Sequence, residues 1–285
     1  MTDYSFAQNK TKLGGFKLPA VEISGQIGRL SVHLASSKVE LNAAQKLRYR
    51  VFCEEMSAST GLINRITKRE FDSFDQEFDH LLLHDMSNPD QPIMIGTQRF
   101  QVLTNDSPPV KFYSSQEFEI STLLACHPGQ RFMELGRSCI LSDYRDKRTM
   151  ELLWHGTWDY ALKMKTDVMF GCASIPGKTI EDVKSQLSAL ALMPTAQDDW
   201  DVLPKSSNAI DLRDIAKSDQ PDRAAIRRLP PLIKGYLRLG AMFSRHVVFD
   251  PKFKTFDVLV ILPVATINPK YVSHYGANAD RHRAH

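Results

Sequence analysis

Apolar and polar residues alternate along Arg29-Leu-Ser-Val-His-Leu-Ala35, which predicts a strand, and Lys38 to Met56 follows at near-helical spacing through Val39, Leu47, Val51 and Phe52. Ser36-Ser37 stands where a helix cap is needed. His80-Leu-Leu-Leu-His84 and Ile93 to Leu103 read as two strands joined by the turn-rich Asp85-Met-Ser-Asn-Pro-Asp-Gln-Pro92, a hairpin that makes the middle of the sheet antiparallel. Phe132 to Leu141 predicts another strand. Thr149 to Lys163 predicts a helix turning Leu152, Leu153, Gly156 and Tyr160 to the core, and Val168 to Ser174 a short buried strand.

Beyond Pro176 the pattern changes to a helix, a polar stretch from Gln197 to Ser218, a basic apolar segment, and strands at His246–Phe249 and Phe256–Leu262. The fold class is therefore α/β, with a mixed, mostly antiparallel sheet flanked by helices. The expected division is a loosely held lead-in over residues 1–28, a core over 29–176, and a C-terminal lobe over 177–285 that completes the sheet.

Against this apolar background a set of charges stands out: Arg48, Glu70-Phe-Asp72-Ser-Phe-Asp75, Arg99 and Glu134-Leu-Gly-Arg137. Isolated charge in apolar surroundings is costly, so these groups are expected to meet in space. Asp72, Asp75 and Glu134 would balance Arg48, Arg99 and Arg137. Glu134 and Arg137 can share a face of their strand only across a bulge, which Gly136 permits.

Composition narrows the partners. The 36 basic and 33 acidic residues leave a net charge of +3, too small to argue for nucleic acid. Cys53, Cys126, Cys139 and Cys172 have neither disulfide nor metal-ligand spacing, and no secretory signal opens the chain; a reducing cytoplasm is the expected compartment. Val258 to Val264, the longest apolar run, falls far short of the ~20 residues that span a bilayer. His80 and His84 flank a strand-like triplet, where i and i+4 stand too far apart for one metal, so no metal is expected. His127 and His155 are alternative bases, better read as packed or surface histidines.

Leu47-Arg-Tyr-Arg-Val-Phe52, the Glu70–Asp75 run, Gly96-Thr-Gln-Arg99 and Glu134-Leu-Gly-Arg137 resemble the acyl-homoserine-lactone synthases, acyltransferases of the Gcn5-related N-acetyltransferase (GNAT) superfold. Ala58 departs from that family, which usually has Trp there. Phe112-Tyr-Ser-Ser-Gln-Glu-Phe118, Glu134 to Cys139, Leu152-Leu-Trp154, Phe170 to Ser174 and Leu229 to Gly240 resemble the ornithine–acyl carrier protein N-acyltransferases over a longer span, from about residue 30 onward. The long region after Pro176 favours this second resemblance.

The resemblance implies transfer of a 3-hydroxy fatty acyl group from acyl carrier protein to the α-amino group of free ornithine, giving a lyso-ornithine lipid, with no bound cofactor. Glutamine, lysine or glycine as acceptor, homoserine-lactone synthesis, and a non-catalytic carrier- or membrane-binding module are the alternatives. The resemblance further implies an oxyanion site where the strands through Ser138–Leu141 and Val168–Ser174 splay. Glu134 is the first choice of base and Arg137 its partner or a carboxylate clamp; a Glu–Arg pair that only pins the strand is the other reading. Asp72, Asp75, Arg48 and Arg99 are candidates for substrate binding, and Ser138, Cys139 and Cys172 for the acyl channel. In Tyr144-Arg-Asp-Lys-Arg-Thr149 the coenzyme A loop lacks its glycines, which favours a phosphopantetheine phosphate and acidic carrier held by Arg145, Lys147 and Arg148, or else a solvated basic turn. Arg223 to Arg238 mixes basic and apolar residues, as a peripheral membrane contact or a helix packed on the domain would.

Overall fold

The computed structural model describes residues 12–13, 16–104, 111–215 and 223–268. A short pair, β1 (Lys12–Leu13) and β2 (Phe16–Lys17), precedes a nine-stranded sheet. Its strands are β3 (Ser24–Ile27), β4 (Leu30–Leu34), β5 (Asp79–Asp85), β6 (Ile93–Thr104), β7 (Arg131–Ile140), β8 (Val168–Pro176), β9 (Ile210–Asp211), β10 (Met242–Asp250) and β11 (Thr255–Pro263), in the order β3-β4-β5-β6-β7-β8-β11-β10-β9. All neighbours are antiparallel except β7 and β8.

One boundary differs from the sequence expectation: the sheet reaches into residues expected to be a loose lead-in, because Gly28 (φ +59°) turns β3 back onto β4. The region after Pro176 adds strands to the sheet, with β11 pairing β8 from Thr255↔Pro176 to Pro263↔Val168.

The helices are α1 (Lys38–Arg48), α2 (Leu62–Thr67), α3 (Ile120–Cys126), α4 (Lys147–Lys163), α5 (Ile180–Leu190), α6 (Leu212–Ile215), α7 (Arg223–Arg228) and α8 (Pro231–Leu239). The Ser37 hydroxyl caps α1 by accepting from Glu40 N, while Glu40 accepts from Ser36 N at 2.8 Å. Val39, expected on the buried face, is 77% exposed. After Arg48 the helix widens into a π-helical stretch, Tyr49–Glu55, a form that recurs at functional sites. It carries Val51, Phe52 and Glu55 to one rim of a cavity beside β7 and β8. Helix α4 buries Leu152, Leu153, Gly156 and Tyr160 as its periodicity predicts.

The basic segment breaks at Pro230 into α7 and α8. Helix α8 turns its apolar face inward, burying Ile233, Tyr236 and Leu239, while Arg223, Arg227 and Arg228 of α7 and Arg238 of α8 stand in solvent. No helix among the described residues is long and apolar enough to cross a membrane.

Candidate active site

Strands β7 and β8 pair only from Phe132↔Val168 to Glu134↔Phe170 and then part. A Cβ on Gly171 would lie 2.2 Å from Leu135 O, so the two backbones approach too closely there for any side chain. Past that contact a cavity of about 570 Å³ opens, walled by Leu135 to Ile140 on one side and Cys172 to Pro176 on the other. The facing edges of these segments have no ladder partner in each other, at the place where the resemblance implied that the strands splay.

The bulge is present. Thr97 pairs with Cys139 and Arg99 with Gly136, so Arg137 and Ser138 together oppose Gln98. The residue that takes the left-handed conformation is Arg137 itself (φ +50°), not Gly136. An arginine held at positive φ is strained, and the cavity lining and the ion pairs around Arg137 hold it there.

The expected charges meet, with one change of membership. Arg48 pairs with Glu70 at 2.9 Å and Asp75 at 2.6 Å, Arg99 with Asp72 and Asp75 at 2.7 Å each, and Arg137 with Asp72 at 3.1 Å and Glu70 at 3.3 Å. Glu70, not Glu134, is thus the third acid of the network. Arg48 and Glu70 are fully buried; against the cost of burial, the Arg48 guanidinium, helped by Arg99, holds Asp75 well below the ordinary carboxylate range, and Asp75 and Glu70 hold Arg48 above its own. Of this network only Arg137 lines the cavity; Arg48, Arg99, Asp72 and Asp75 stand behind it.

Glu134 makes no bond to Arg137, contrary to the expected pair. Its carboxylate accepts from Tyr113 N at 2.7 Å and from Ser114 N and Oγ at 2.6 Å each, fixing the turn Tyr113–Gln116. Burial raises its pKa and these donors pull it partly back. Tyr113 joins the two residues indirectly, because its ring lies 4.4 Å from the Arg137 guanidinium.

A second acidic group was not singled out from the sequence. Glu117, Asp250 and Asp257 bring carboxylate oxygens within 4.8 Å of one another, and the two aspartates line the cavity. Burial, with repulsion from Asp257 and Asp250, lifts Glu117 to about 8; burial, with repulsion from Asp250, lifts Asp257 to about 6.

The GNAT acetyltransferase domain family matches residues 47–155. An L-ornithine N(alpha)-acyltransferase of Agrobacterium fabrum is 46% identical over 265 residues, covering 90% of this chain and 88% of the relative. The protein of the same name from Rhizobium meliloti is 45% identical, covering 92% and 90%. The chain belongs to this acyltransferase family. Among solved structures, an N-acyl amino acid synthase from uncultured soil microbes overlays with a TM-score of 0.47 at 11% identity, over 83% of this chain and 92% of that one.

The acyltransferase keeps its cavity thiols neutral. Burial pushes Cys139 up to about 12 and Cys172 well above its ordinary value, the latter helped by the field of Glu117. That is the chemistry of a channel wall, not of an activated nucleophile. Ser138 also lines the cavity.

In the basic turn, Asp146 caps α4 by accepting from Thr149 N at 2.9 Å. Arg145 is bound to Ile140 O and Glu55, whereas Lys147 and Arg148 are exposed on the first turn of the helix. The expected trio therefore divides into one braced arginine at the cavity rim and two outward cations.

His80 lies in β5 with Nε2 against Asp75 O at 3.0 Å, and His84 stacks on His33; they share no ligand position. His127 stacks on Trp200, and His155 is buried in α4. These histidines are packed, and none of the four lines the cavity.

Proposed function

We propose that this acyltransferase moves a 3-hydroxy fatty acyl group from acyl carrier protein to the α-amino group of ornithine, giving a lyso-ornithine lipid. The observation that carries the reading is the cavity over the parted strands, in a chain whose relatives are named for ornithine N-acylation. The thioester lies in the opening with its carbonyl oxygen toward the unpaired strand edges, and the phosphopantetheine arm leaves toward the start of α4. Arg145 at the rim, with Lys147 and Arg148 outside, supplies cations for the phosphate and the acidic carrier.

The amine attacks the thioester carbon, making the C–N bond and an oxyanion held against backbone donors, and collapse re-forms the carbonyl as the C–S bond breaks and the pantetheine thiolate leaves. The proton leaves the amine through the Ser114 hydroxyl, which is on the cavity wall 2.6 Å from Glu134 Oε1. A carboxylate whose pKa burial has raised is a better base than an exposed one. Arg137 faces the same space and is suited to the acceptor carboxylate. Arg48, Arg99, Asp72 and Asp75 act as positioning residues that hold Arg137 and the π-helical rim. The single-chain product enters the bilayer from the inner face, with the exposed arginines of α7 and α8 as the peripheral contact.

The test incubates purified protein with 3-hydroxyacyl carrier protein and a panel of free amino acids, with products identified by mass spectrometry. The expected product is N(α)-acylornithine without added S-adenosylmethionine. Product only in its presence, as a homoserine lactone, overturns the proposal.

A further inference from the structure

We infer that Glu117, Asp250 and Asp257 form the subsite that takes the side-chain ammonium of the acceptor, and so make the enzyme selective for a cationic amino acid. This rests on the amino-acid acylation proposed above and goes beyond it, because it names the atoms that read the acceptor side chain.

Three lines carry it. The first is convergence: the carboxylates come from three different segments, the residue after the Tyr113–Gln116 turn, the end of β10 and the third position of β11, and their oxygens meet within 4.8 Å. The second is incomplete compensation. The neighbouring cations Arg137 and Lys252 pair with Glu70 and Asp72 instead. Asp250 Oδ1 is used by Lys252 N at 2.7 Å and Phe253 N at 3.1 Å, and Glu117 Oε2 by the Cys172 thiol at 3.5 Å. The Thr255 and Ser174 side chains stand close enough to bond the Asp257 carboxylate, yet its buried Oδ1, on a residue only 5% exposed, is left without a donor. A buried acceptor without a donor costs free energy until a ligand supplies one.

The third is location. Asp250 and Asp257 line the same cavity as Arg137, so a zwitterionic acceptor can meet a cation at its carboxylate and anions at its side chain within one space. An alkylammonium carries three N–H donors, one for each carboxylate, and its carbon stem suits the thiol and alkyl wall around Cys172 and Ala173. Calcium fits less well, since it takes six to eight oxygen ligands. With no cation present the three acids cannot all ionise, and burial together with mutual repulsion keeps protons on Glu117 and Asp257 toward neutral pH. A bound ammonium displaces those protons.

The experiment compares ornithine with norvaline, which has the same carbon chain and lacks the terminal ammonium. The ratio of kcat/KM for ornithine to that for norvaline is measured in wild type, Asp257→Asn and Glu117→Gln; as a ratio it is independent of the folded fraction. The expected result is a ratio that falls about tenfold or more in each variant, through KM for ornithine. An unchanged ratio, or equal losses on both acceptors, overturns the inference, because the cluster then serves folding or proton transfer. Loss of the wild-type ratio on treatment with EDTA overturns it in favour of a metal. If neither acceptor is acylated, the proposed reaction fails, and calorimetric titration of ornithine against norvaline still reads the subsite: tighter binding of ornithine in wild type, abolished in Asp257→Asn, upholds it, and equal binding overturns it.

Discussion

Gly171 and Leu135 set the point at which the central sheet opens, for a Cβ at Gly171 would fall 2.2 Å from Leu135 O. The obstacle is backbone, which has no rotamer by which to yield. Gly171→Ala is expected to force β7 and β8 apart below the cavity, costing about 1–3 kcal/mol or more. A lowered urea midpoint together with loss of acyl transfer checks this; a wild-type midpoint contradicts it.

The buried ion network predicts an asymmetric response to losing one partner. Asp75 accepts from Arg48, Arg99 and Gln45. Asp75→Asn leaves two buried guanidinium groups undercompensated, with an expected loss of about 3–5 kcal/mol in equilibrium denaturation. The folded pKa of Asp75 lies below its ordinary 3.8, so its contribution is present above that value and disappears as pH falls below it. Acid unfolding that begins at higher pH in Asp75→Asn than in wild type is the accompanying sign.

Glu117 and Asp257 carry the opposite sign. Their folded pKa values, about 8 and about 6, lie above the ordinary 4.5 and 3.8. The folded state thus holds protons that the unfolded chain has released, and stability falls as pH rises from about 4 toward 8. Glu117→Gln removes part of that penalty. Its urea midpoint should gain on wild type between pH 4.5 and pH 8.5, and a constant offset across the range contradicts the assignment.

Glu134→Gln keeps the size of the side chain but not a base, and its single carbonyl oxygen accepts from only one side of the Tyr113–Ser114 turn. We expect kcat to fall about 10²-fold with little change in KM for the acyl donor, and the acidic limb of the pH–rate profile to be lost. A proportionate fall in folded protein with kcat per folded molecule intact would reduce Glu134 to a pin for the turn.

Lys147 and Arg148 are exposed, while Arg145 is braced by Glu55. Reversing both exposed charges is expected to raise KM for acyl carrier protein about tenfold, with a smaller effect for acyl-phosphopantetheine and a salt dependence that weakens accordingly. Equal effects on both donors would place these residues at the phosphate only.

The elements were readable because period and composition decide them locally. The Asp79–Asp85 and Ile93–Thr104 hairpin follows from two apolar runs around a Pro- and Asn-rich turn. That Arg48, Asp72, Asp75, Arg99 and Arg137 would meet was readable from the cost of burying each alone. Which acid completes the set was not: Glu70 and Glu134 look alike in sequence, and only the path of the chain after the π-helical stretch sends Glu70 to Arg48 and Glu134 to Ser114. Asp257, a carboxylate at the head of the longest apolar run, carried the same signal as the other buried charges. Its partners Glu117 and Asp250 read as a motif member and a turn before Pro251, and three segments so far apart in sequence give no local sign that they converge.

The place of β11 in the sheet has a consequence for biosynthesis. It inserts between β8 and β10 and brings Asp257 with it, so a ribosome emitting the chain in order exposes the open flank of β8 until β11, the last of the described strands, has emerged. A nascent chain that has already made β7, β8 and the whole arginine network still has an acyl cavity missing its floor. Chaperone dependence and vulnerability to proteases should therefore concentrate in that late interval of synthesis.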